Sequence, residues 1–417
     1  MKQLLWVNVV AALAVVGCGA DSTPSSGSAG SSAEAGGNGG AGAAGGGAAA
    51  GTTSQAEAGG SGEANGGSST MGGATSAGSS GAATAGVGGS VGSGGSGGGA
   101  GSGVLDPGTE GDGDLTIGPT FVDSPDVLVK ASVPHGTLFK FTMNSTASKL
   151  FTGLDKTLLT ANQHSFTREI DVYVPKQYVD GTAAPILFGQ DGLQTDMVNA
   201  LDNLIADKRL PAIITIFVAN GGGDSKGSER GLEYDTVSDR YASFIQTEVL
   251  PAVLAVPAIK TAYPKLAFTA DPDGRGTYGC SSGGEAAFTA GWFHPEWFHR
   301  IITYSGTFVD LQDDDAPEEK TYPLGSWEYH ANLIPGNPAK PLRVFLAVSE
   351  MDNHYMDAES THFNWLLANQ HMAAALKAKS YHYRLVYAKG ATHCDAKVRR
   401  ATLPDTLRWM WRGYPVQ

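Results

Sequence analysis

A serine flanked by glycines is the first group in the sequence that could do chemistry. The segment Gly279-Cys280-Ser281-Ser282-Gly283 fits the pattern G-x-S-x-G, and it lies between the apolar segment 275–279 and the helical pattern at 283–293. A nucleophilic serine in this pattern occupies a sharp strand-to-helix turn, where glycines leave room for neighbouring backbone. The context therefore predicts that Ser281 presents its hydroxyl on such a turn, at the start of a helix.

A serine hydroxyl needs a base at neutral pH, usually a histidine oriented by a carboxylate. His393 follows the strand-like segment 381–390 and precedes the last helical pattern. This position suits the base when the order along the chain is serine, acid, histidine. His354 and His362 are the alternatives, although both lie before a further helical pattern that must still intervene.

The carboxylate should come at the end of the strand-like segment 341–350. Glu350 and Asp352 both qualify by position, and periodicity does not separate them. A metal site is a further alternative, but its spacing matches no common zinc motif. Its ligands would be Asp352, His354, Asp357 and His362. We therefore expect neither a metal nor an organic cofactor.

Strand and helix patterns alternate around these residues. The strand patterns lie at 136–145, 168–178, 184–192, 211–220, 299–308, 341–350 and 381–390. The helical patterns lie at 195–208, 238–253, 283–293, 363–379 and 401–414. Such alternation indicates an α/β domain with a mostly parallel sheet and helices on both faces. The first two strands have no helix between them, which favours an antiparallel edge.

The N-terminus is typical of an exported protein. Lys2 precedes a largely apolar run over 4–16 that is too short to span a bilayer in the usual way, and the run ends in Val-Val-Gly-Cys18. This pattern is similar to a bacterial lipoprotein signal over residues 1–18, in which Cys18 carries the lipid. An ordinary secretory signal is the alternative. Either one predicts export from the cytoplasm to a location where disulfides can persist, and the lipoprotein signal predicts anchoring in the cell envelope.

The rest of the chain divides into a linker and one domain. Residues 19–104 are mostly Gly, Ala and Ser, without Lys, Arg or aromatic residues, and so have nothing to bury that would offset their ordering entropy. We expect a disordered linker there, and a single large domain over 105–417. The net charge of −13 and the lack of a basic run argue against nucleic acid as a partner.

The domain resembles the esterase family of α/β-hydrolases, which includes enterochelin, feruloyl and acetylxylan esterases and mycolyltransferases. The resemblance covers about 135–415 and rests on the turn around Ser281, the order of the candidate residues and the terminal helical pattern "LPDTLRWMWRGYP". It implies an α/β-hydrolase fold and favours Asp352 over Glu350 as the acid. It also implies an oxyanion hole formed by the main-chain N–H groups of Ser282 and, from the turn "FGQDGL", of Leu193.

Cysteines next to both Ser281 and His393 depart from the family pattern. If the serine and the histidine meet, Cys280 and Cys394 come close enough to form a disulfide. The arrangement resembles that of fungal tannases and related feruloyl esterases, although the rest of the chain does not. Two free buried thiols are the alternative.

These features together predict a lipid-anchored serine ester hydrolase that acts on a small-molecule or polysaccharide-linked ester. The alternatives are an acyltransferase of the mycolyltransferase type and an inactive, surface-displayed binding module. Several aromatic residues could contact a substrate, although Trp and Phe on a helix at such a turn belong more often to the core. They are Trp292, Phe293, Trp297, Tyr304 and Trp327.

Overall fold

The computed structural model describes residues 108–224, 226–311 and 322–416. The predicted signal over 1–18, the lipidation site Cys18 and the linker over 19–104 lie outside these residues. Within the described ranges, no helix combines the length and the apolar character needed to cross a bilayer.

Nine of the strands in the described residues form one sheet. The strands are β1 (Gly113–Ile117), β2 (Thr137–Asn144), β3 (Thr167–Val174), β4 (Ala183–Ala184), β5 (Ile186–Gln190), β6 (Ile214–Val218), β7 (Ala267–Phe268), β8 (Arg275–Cys280), β9 (Arg300–Tyr304), β10 (Arg343–Met351) and β11 (His382–Thr392). Their order in the sheet is β1-β11-β10-β9-β8-β5-β6-β3-β2, while β4 and β7 form a separate parallel pair. Strand β3 pairs antiparallel with both β2 and β6, and the other pairs are parallel.

Helices connect the parallel strands. They are α1 (Thr195–Ala206), α2 (Glu229–Tyr234), α3 (Arg240–Phe244), α4 (Leu250–Ala255), α5 (Pro257–Ala262), α6 (Ser282–Phe293), α7 (Ile334–Gly336), α8 (Trp365–Ala378) and α9 (Ala396–Met410). A π-helical turn, Ile245–Val249, joins α3 to α4. This alternation confirms the α/β-hydrolase fold expected from the sequence, with an antiparallel edge at β2 and β3.

The sheet has a hydrophobic core on each face. Successive residues of β5 show this alternation, since Leu187 belongs to one core and Phe188 to the other. The core that contains Leu187 also contains apolar residues of α1 and α9, such as Leu201 and Leu407. The core that contains Phe188 is built mainly with α6 and α8. Both faces of the sheet are therefore covered by helices.

The parallel strands end at one edge of the sheet, and the candidate residues follow these ends. In the β10–β11 pair, Met351 lies opposite Thr392, so Asp352 and His393 each come directly after paired residues. Strands β5 and β8 are also neighbours, with Gly189 opposite Tyr278. The topology thus brings the loops after β5, β8, β10 and β11 to the same edge.

Candidate active site

Ser281 occupies a strained turn between β8 and α6. Its backbone has φ 58° and ψ −131°, a conformation that costs energy for any residue with a side chain. A Cβ atom at Gly279 would overlap the carbonyl group of Gly283, and one at Gly283 would lie 2.8 Å from Asp191 Oδ2. The glycines of the motif are therefore required by the close approach of backbone at Gly279 and of the Asp191 side chain at Gly283.

The hydroxyl of Ser281 faces Thr307. Among the described residues its hydrogen-bonding partner is Thr307 Oγ1 at 3.4 Å, and the Thr307 N–H donates to the Ser281 carbonyl at 3.2 Å. The indole N–H of Trp365 donates to the same Thr307 hydroxyl at 3.3 Å. Thr307 is fully buried. The turn is thus supported from the segment after β9, a contact that the sequence did not reveal.

His393 is held by Asp352. Its Nδ1 lies 2.5 Å from Asp352 Oδ1, and the carboxylate is 1 % exposed. Asp352 accepts three further hydrogen bonds, from the hydroxyl of Ser305 at 2.7 Å and from the main-chain N–H groups of Asn353 and Ser349 at 2.9 and 3.1 Å. A carboxylate that accepts this many hydrogen bonds is held in one orientation. The imidazole therefore presents Nε2 away from the acid.

Glu350 lies apart from the imidazole. Its carboxylate accepts a hydrogen bond from the Gly390 N–H at 2.8 Å and is partly exposed. The structure thus places Asp352, rather than Glu350, against His393.

The two histidines considered as alternatives to His393 have other partners. His354 Nδ1 lies 2.9 Å from Asp357 Oδ2, and the His362 ring packs 4.9 Å from that of Trp327. In the described part of the chain, no group of three or more His, Cys, Asp or Glu side chains is arranged to hold a metal ion.

The predicted disulfide between Cys280 and Cys394 is present. The two Cα atoms are 6.1 Å apart, and the bond closes a loop with a sequence separation of 114. The N–H of Cys394 donates at 3.1 Å to the hydroxyl of Ser305, which in turn donates to Asp352. The bond ties the loop that carries His393 directly to the turn that carries Ser281.

Reduction of this disulfide should lower activity and stability together. The chain-entropy model gives about 4–5 kcal/mol for a loop of this length. For a domain of this size, that loss corresponds to a fall in Tm of about 10 °C. Tm and ester turnover should be measured with and without reductant, with the Cys280→Ala/Cys394→Ala variant as the control that no longer responds. Free, alkylatable thiols in fully active protein would contradict the prediction.

Two main-chain N–H groups lie where an oxyanion hole is expected. Ser282 is the first residue of α6, so its N–H has no partner within the helix, and no acceptor among the described residues pairs with it or with the N–H of Leu193. Leu193 follows a turn in which Asp191 and Gly192 have φ values of 64° and 86°.

An arginine fixes this turn. Arg230 contacts both carboxylate oxygens of Asp191, at 2.9 and 3.1 Å, and the amide of Asn220 donates to the same carboxylate at 2.7 Å. The Gly192 N–H donates to the carbonyl of Val218 at 3.2 Å. No sequence pattern pointed to Arg230, because it lies 39 residues from the aspartate that it binds.

Most of the aromatic residues considered from the sequence lie in the core or pack on other side chains. Trp292 and Trp327 are each 5 % exposed, and the buried Tyr304 contacts the hydroxyl of Thr402. Trp297 stacks on His294 at 3.8 Å. A different aromatic residue lies near the imidazole of His393: the Trp365 ring is 6.2 Å from it, and His354 and Phe363 pack against Trp365.

Comparisons with known proteins find a matching family and several similar structures. The model of the family described as "Putative esterase" matches residues 163–410. An enterochelin esterase from Shigella flexneri is 20 % identical with a TM-score of 0.43, and the match covers 59 % of this chain and 55 % of that one. A ferulic acid esterase from Anaeromyces mucronatus is 12 % identical with a TM-score of 0.49, over 71 % and 98 % of the two chains. The match thus spans about half the length of the enterochelin esterase. None of the curated proteins compared with the chain matches it.

Proposed function

The chain belongs to this esterase family, and from that membership and the geometry around Ser281 we propose that it is a serine carboxylic-ester hydrolase acting through an acyl-enzyme. The observation that carries the proposal is the short hydrogen bond from His393 to the buried Asp352, on a loop that the disulfide ties to the turn of Ser281. A base, its orienting acid and an activated hydroxyl are the parts that acyl transfer requires.

In the proposed mechanism, Ser281 Oγ attacks the ester carbonyl while His393 Nε2 takes its proton. Asp352 keeps the proton of the imidazole on Nδ1, so that Nε2 is free to accept, and stabilises the imidazolium that forms. The imidazolium then protonates the leaving alcohol, and the acyl group stays on Ser281. Water repeats the attack with the same base and releases the acid.

The developing oxyanion would be held by the N–H groups of Ser282 and Leu193. Main-chain donors fixed in advance cost no reorganisation during the reaction, and one such donor contributes on the order of 10²–10³ in rate. The first turn of α6 adds the positive end of the helix dipole. Arg230 holds the turn at Asp191 in place, and this turn positions the second donor, the N–H of Leu193.

Labelling with a fluorophosphonate tests the proposal directly. The reagent phosphonylates an activated serine, so purified protein should gain one adduct on Ser281 and lose ester turnover in step with labelling. Heat-unfolded protein is the control, since its serines lack a base. A folded protein that neither reacts with the probe nor hydrolyses any ester would be the inactive binding module considered above.

The names of the similar structures suggest which classes of ester to test as substrates. Enterobactin and ferulic acid appear in the names of those proteins, and we propose a small-molecule or polysaccharide-linked ester for this chain. A panel of feruloyl, acetyl-xylan, glucuronoyl and siderophore esters covers that range. An added acceptor alcohol in the same assay separates acyl transfer from hydrolysis.

The N-terminal sequence supports export and a lipid anchor on Cys18. We expect Cys18→Ser to release the protein from membrane fractions with unchanged specific activity, because 86 residues, 19–104, separate the anchor from the domain. Fractionation followed by an ester assay measures both quantities. Ala12→Ser, within the same apolar run, is the control that should stay membrane-bound, and retention of the Cys18 variant would rule out the anchor.

A further inference from the structure

Two buried carboxyl groups lie directly behind the turn of Ser281. Asp235 follows α2 and is 1 % exposed, and Glu285 lies in the first turn of α6 and is fully buried. Helices α2 and α6 pack against each other. Asp235 faces both the carboxyl of Glu285 and the side chain of Ser282. The proposed mechanism uses neither carboxyl.

The two carboxyl groups lack the donors that buried carboxylates need. Glu285 Oε1 accepts from the Ser326 hydroxyl, but neither Oε2 nor either oxygen of Asp235 accepts a hydrogen bond of ordinary geometry from the described residues. An isolated buried carboxylate without donors is very costly. A carboxylic acid, however, is a donor as well as an acceptor. One proton between the two groups would therefore give each of them a partner.

The charged groups nearby are committed to other partners. Arg230 on α2 binds Asp191, which follows β5, and also binds Asp224. Arg168 on β3 binds Glu233. Tyr329 faces Glu285 from the segment before α7. No cation of the described residues is thus paired with Asp235 or Glu285.

The titration of the pair agrees with this arrangement. Burial raises the pKa of Asp235 to about 7, against hydrogen bonding from Ser282 that lowers it. Burial, followed by the negative charge of Asp235, holds the pKa of Glu285 well above its usual range. Two carboxyl groups in contact at a buried site do not both ionise near neutral pH.

We propose that Asp235 and Glu285 share one proton, and that the pair positions Ser282, whose main-chain N–H is one of the two oxyanion donors. The proposal rests on the proposed function. In the proposed arrangement the hydroxyl of Ser282, which faces Asp235, would donate to that carboxyl, Asp235 is joined to Glu285 through the shared proton, and Glu285 accepts from Ser326. This chain of hydrogen bonds fixes the first residue of α6, and with it the direction of its N–H.

Variants that keep or remove the link to Ser282 test the positioning role. Asp235→Leu should lower kcat by about 10- to 100-fold, a fall no larger than the one caused by the loss of one oxyanion donor. KM should stay within about twofold of the wild-type value. Asp235→Asn should keep kcat within about threefold, because its amide donates to Glu285 and its oxygen accepts from Ser282. Ser282→Ala keeps the N–H and loses the hydroxyl, so it should match Asp235→Leu and serves if that variant does not fold.

Infrared spectroscopy tests the shared proton without reference to catalysis. At pH 8 the wild-type protein should show the carbonyl band of a buried carboxylic acid, and the Asp235→Asn/Glu285→Gln variant should lack it. Asp405→Asn, at an exposed position, is the control that leaves the band in place. Absence of the band from wild type would overturn the shared proton. Equal kcat in Asp235→Leu and wild type, or equal losses in Asp235→Leu and Asp235→Asn, would overturn the positioning role.

The stability of the pair variant should also depend less on pH. The pKa of Asp235 is raised in the folded state. The contribution of its protonated form to the free energy of unfolding is therefore fully present below pH 3.8 and is lost as the pH rises to about 7. Tm should therefore fall more between pH 5 and 8 in wild type than in the Asp235→Asn/Glu285→Gln variant. If the protein failed fluorophosphonate labelling while these infrared and thermal results held, the proposed function alone would be wrong.

Discussion

Replacing Ser281 by alanine should remove ester hydrolysis, by about 10⁵- to 10⁶-fold in kcat, while the fold stays intact. The hydroxyl supplies the nucleophile, and its hydrogen bond to Thr307 is long, at 3.4 Å, so little packing or bonding is lost with it. Alanine also adopts the positive φ of this position at a cost similar to that of serine. Steady-state kinetics on the best ester of the panel measure the loss of kcat, and a thermal melt shows whether the fold stays intact.

Ser380→Ala is the matched control for Ser281→Ala. Ser380 also has a φ of 58°, but it is exposed at the end of α8, far along the chain from the candidate residues. Its replacement therefore reports the backbone cost of serine to alanine at a positive φ, with no expected change in turnover. If Ser281→Ala kept more than a few per cent of wild-type activity, another group would be the nucleophile.

The position of Ser281 could be predicted because the constraint is local. Gly279 is required by a contact within the same turn, with the carbonyl group of Gly283, so the motif carries much of the information needed to place the serine. The disulfide was predictable for a related reason, since Cys280 and Cys394 are neighbours in sequence of the two residues proposed to meet. In both cases a short segment contains the physical cause.

Other parts of the site depend on long-range contacts that leave no local pattern. Thr307, Ser305 and Trp365 lie near the proposed catalytic residues only because β9, β10 and α8 pack together. Asp235 and Glu285 are likewise separated in sequence by two strands and three helices. Their types suggest surface residues, and only the fold reveals that both are buried beside Ser282.

Strand β1 shows the same limit at the level of the fold. Its five residues alternate poorly between apolar and polar, and three of them are exposed, so no period-2 pattern marks it in the sequence. It pairs with β11 across a separation of more than 250 residues. Its place at the edge is set by pairing with β11, which already lies in the sheet.

The choice between Glu350 and Asp352 was open for a structural reason. The register between β10 and β11 shifts between Ser349 and Met351, which breaks the alternation that would otherwise assign each side chain to one face. Asp352 then follows the irregular end of β10 and turns back toward the Ser349 N–H. Periodicity extrapolated through such a bulge assigns side chains to the wrong face.

Asp352→Asn should lower kcat on the order of 10⁴-fold, by analogy with the loss of the orienting acid in the serine-hydrolase triad. An amide that keeps its NH₂ group toward His393 would hold the imidazole in the wrong tautomer. Turned the other way, the same group would face the hydroxyl of Ser305 and the N–H of Ser349, which are donors themselves. Either orientation leaves a buried group without its partner, so a lower Tm should accompany the loss of activity.

Glu350→Gln is the matched control: it changes a nearby carboxylate that binds Gly390 rather than His393, and it should keep nearly full activity. Equal, mild losses in the two variants would show that neither carboxylate orients the base, and a large loss confined to Glu350→Gln would reverse the assignment.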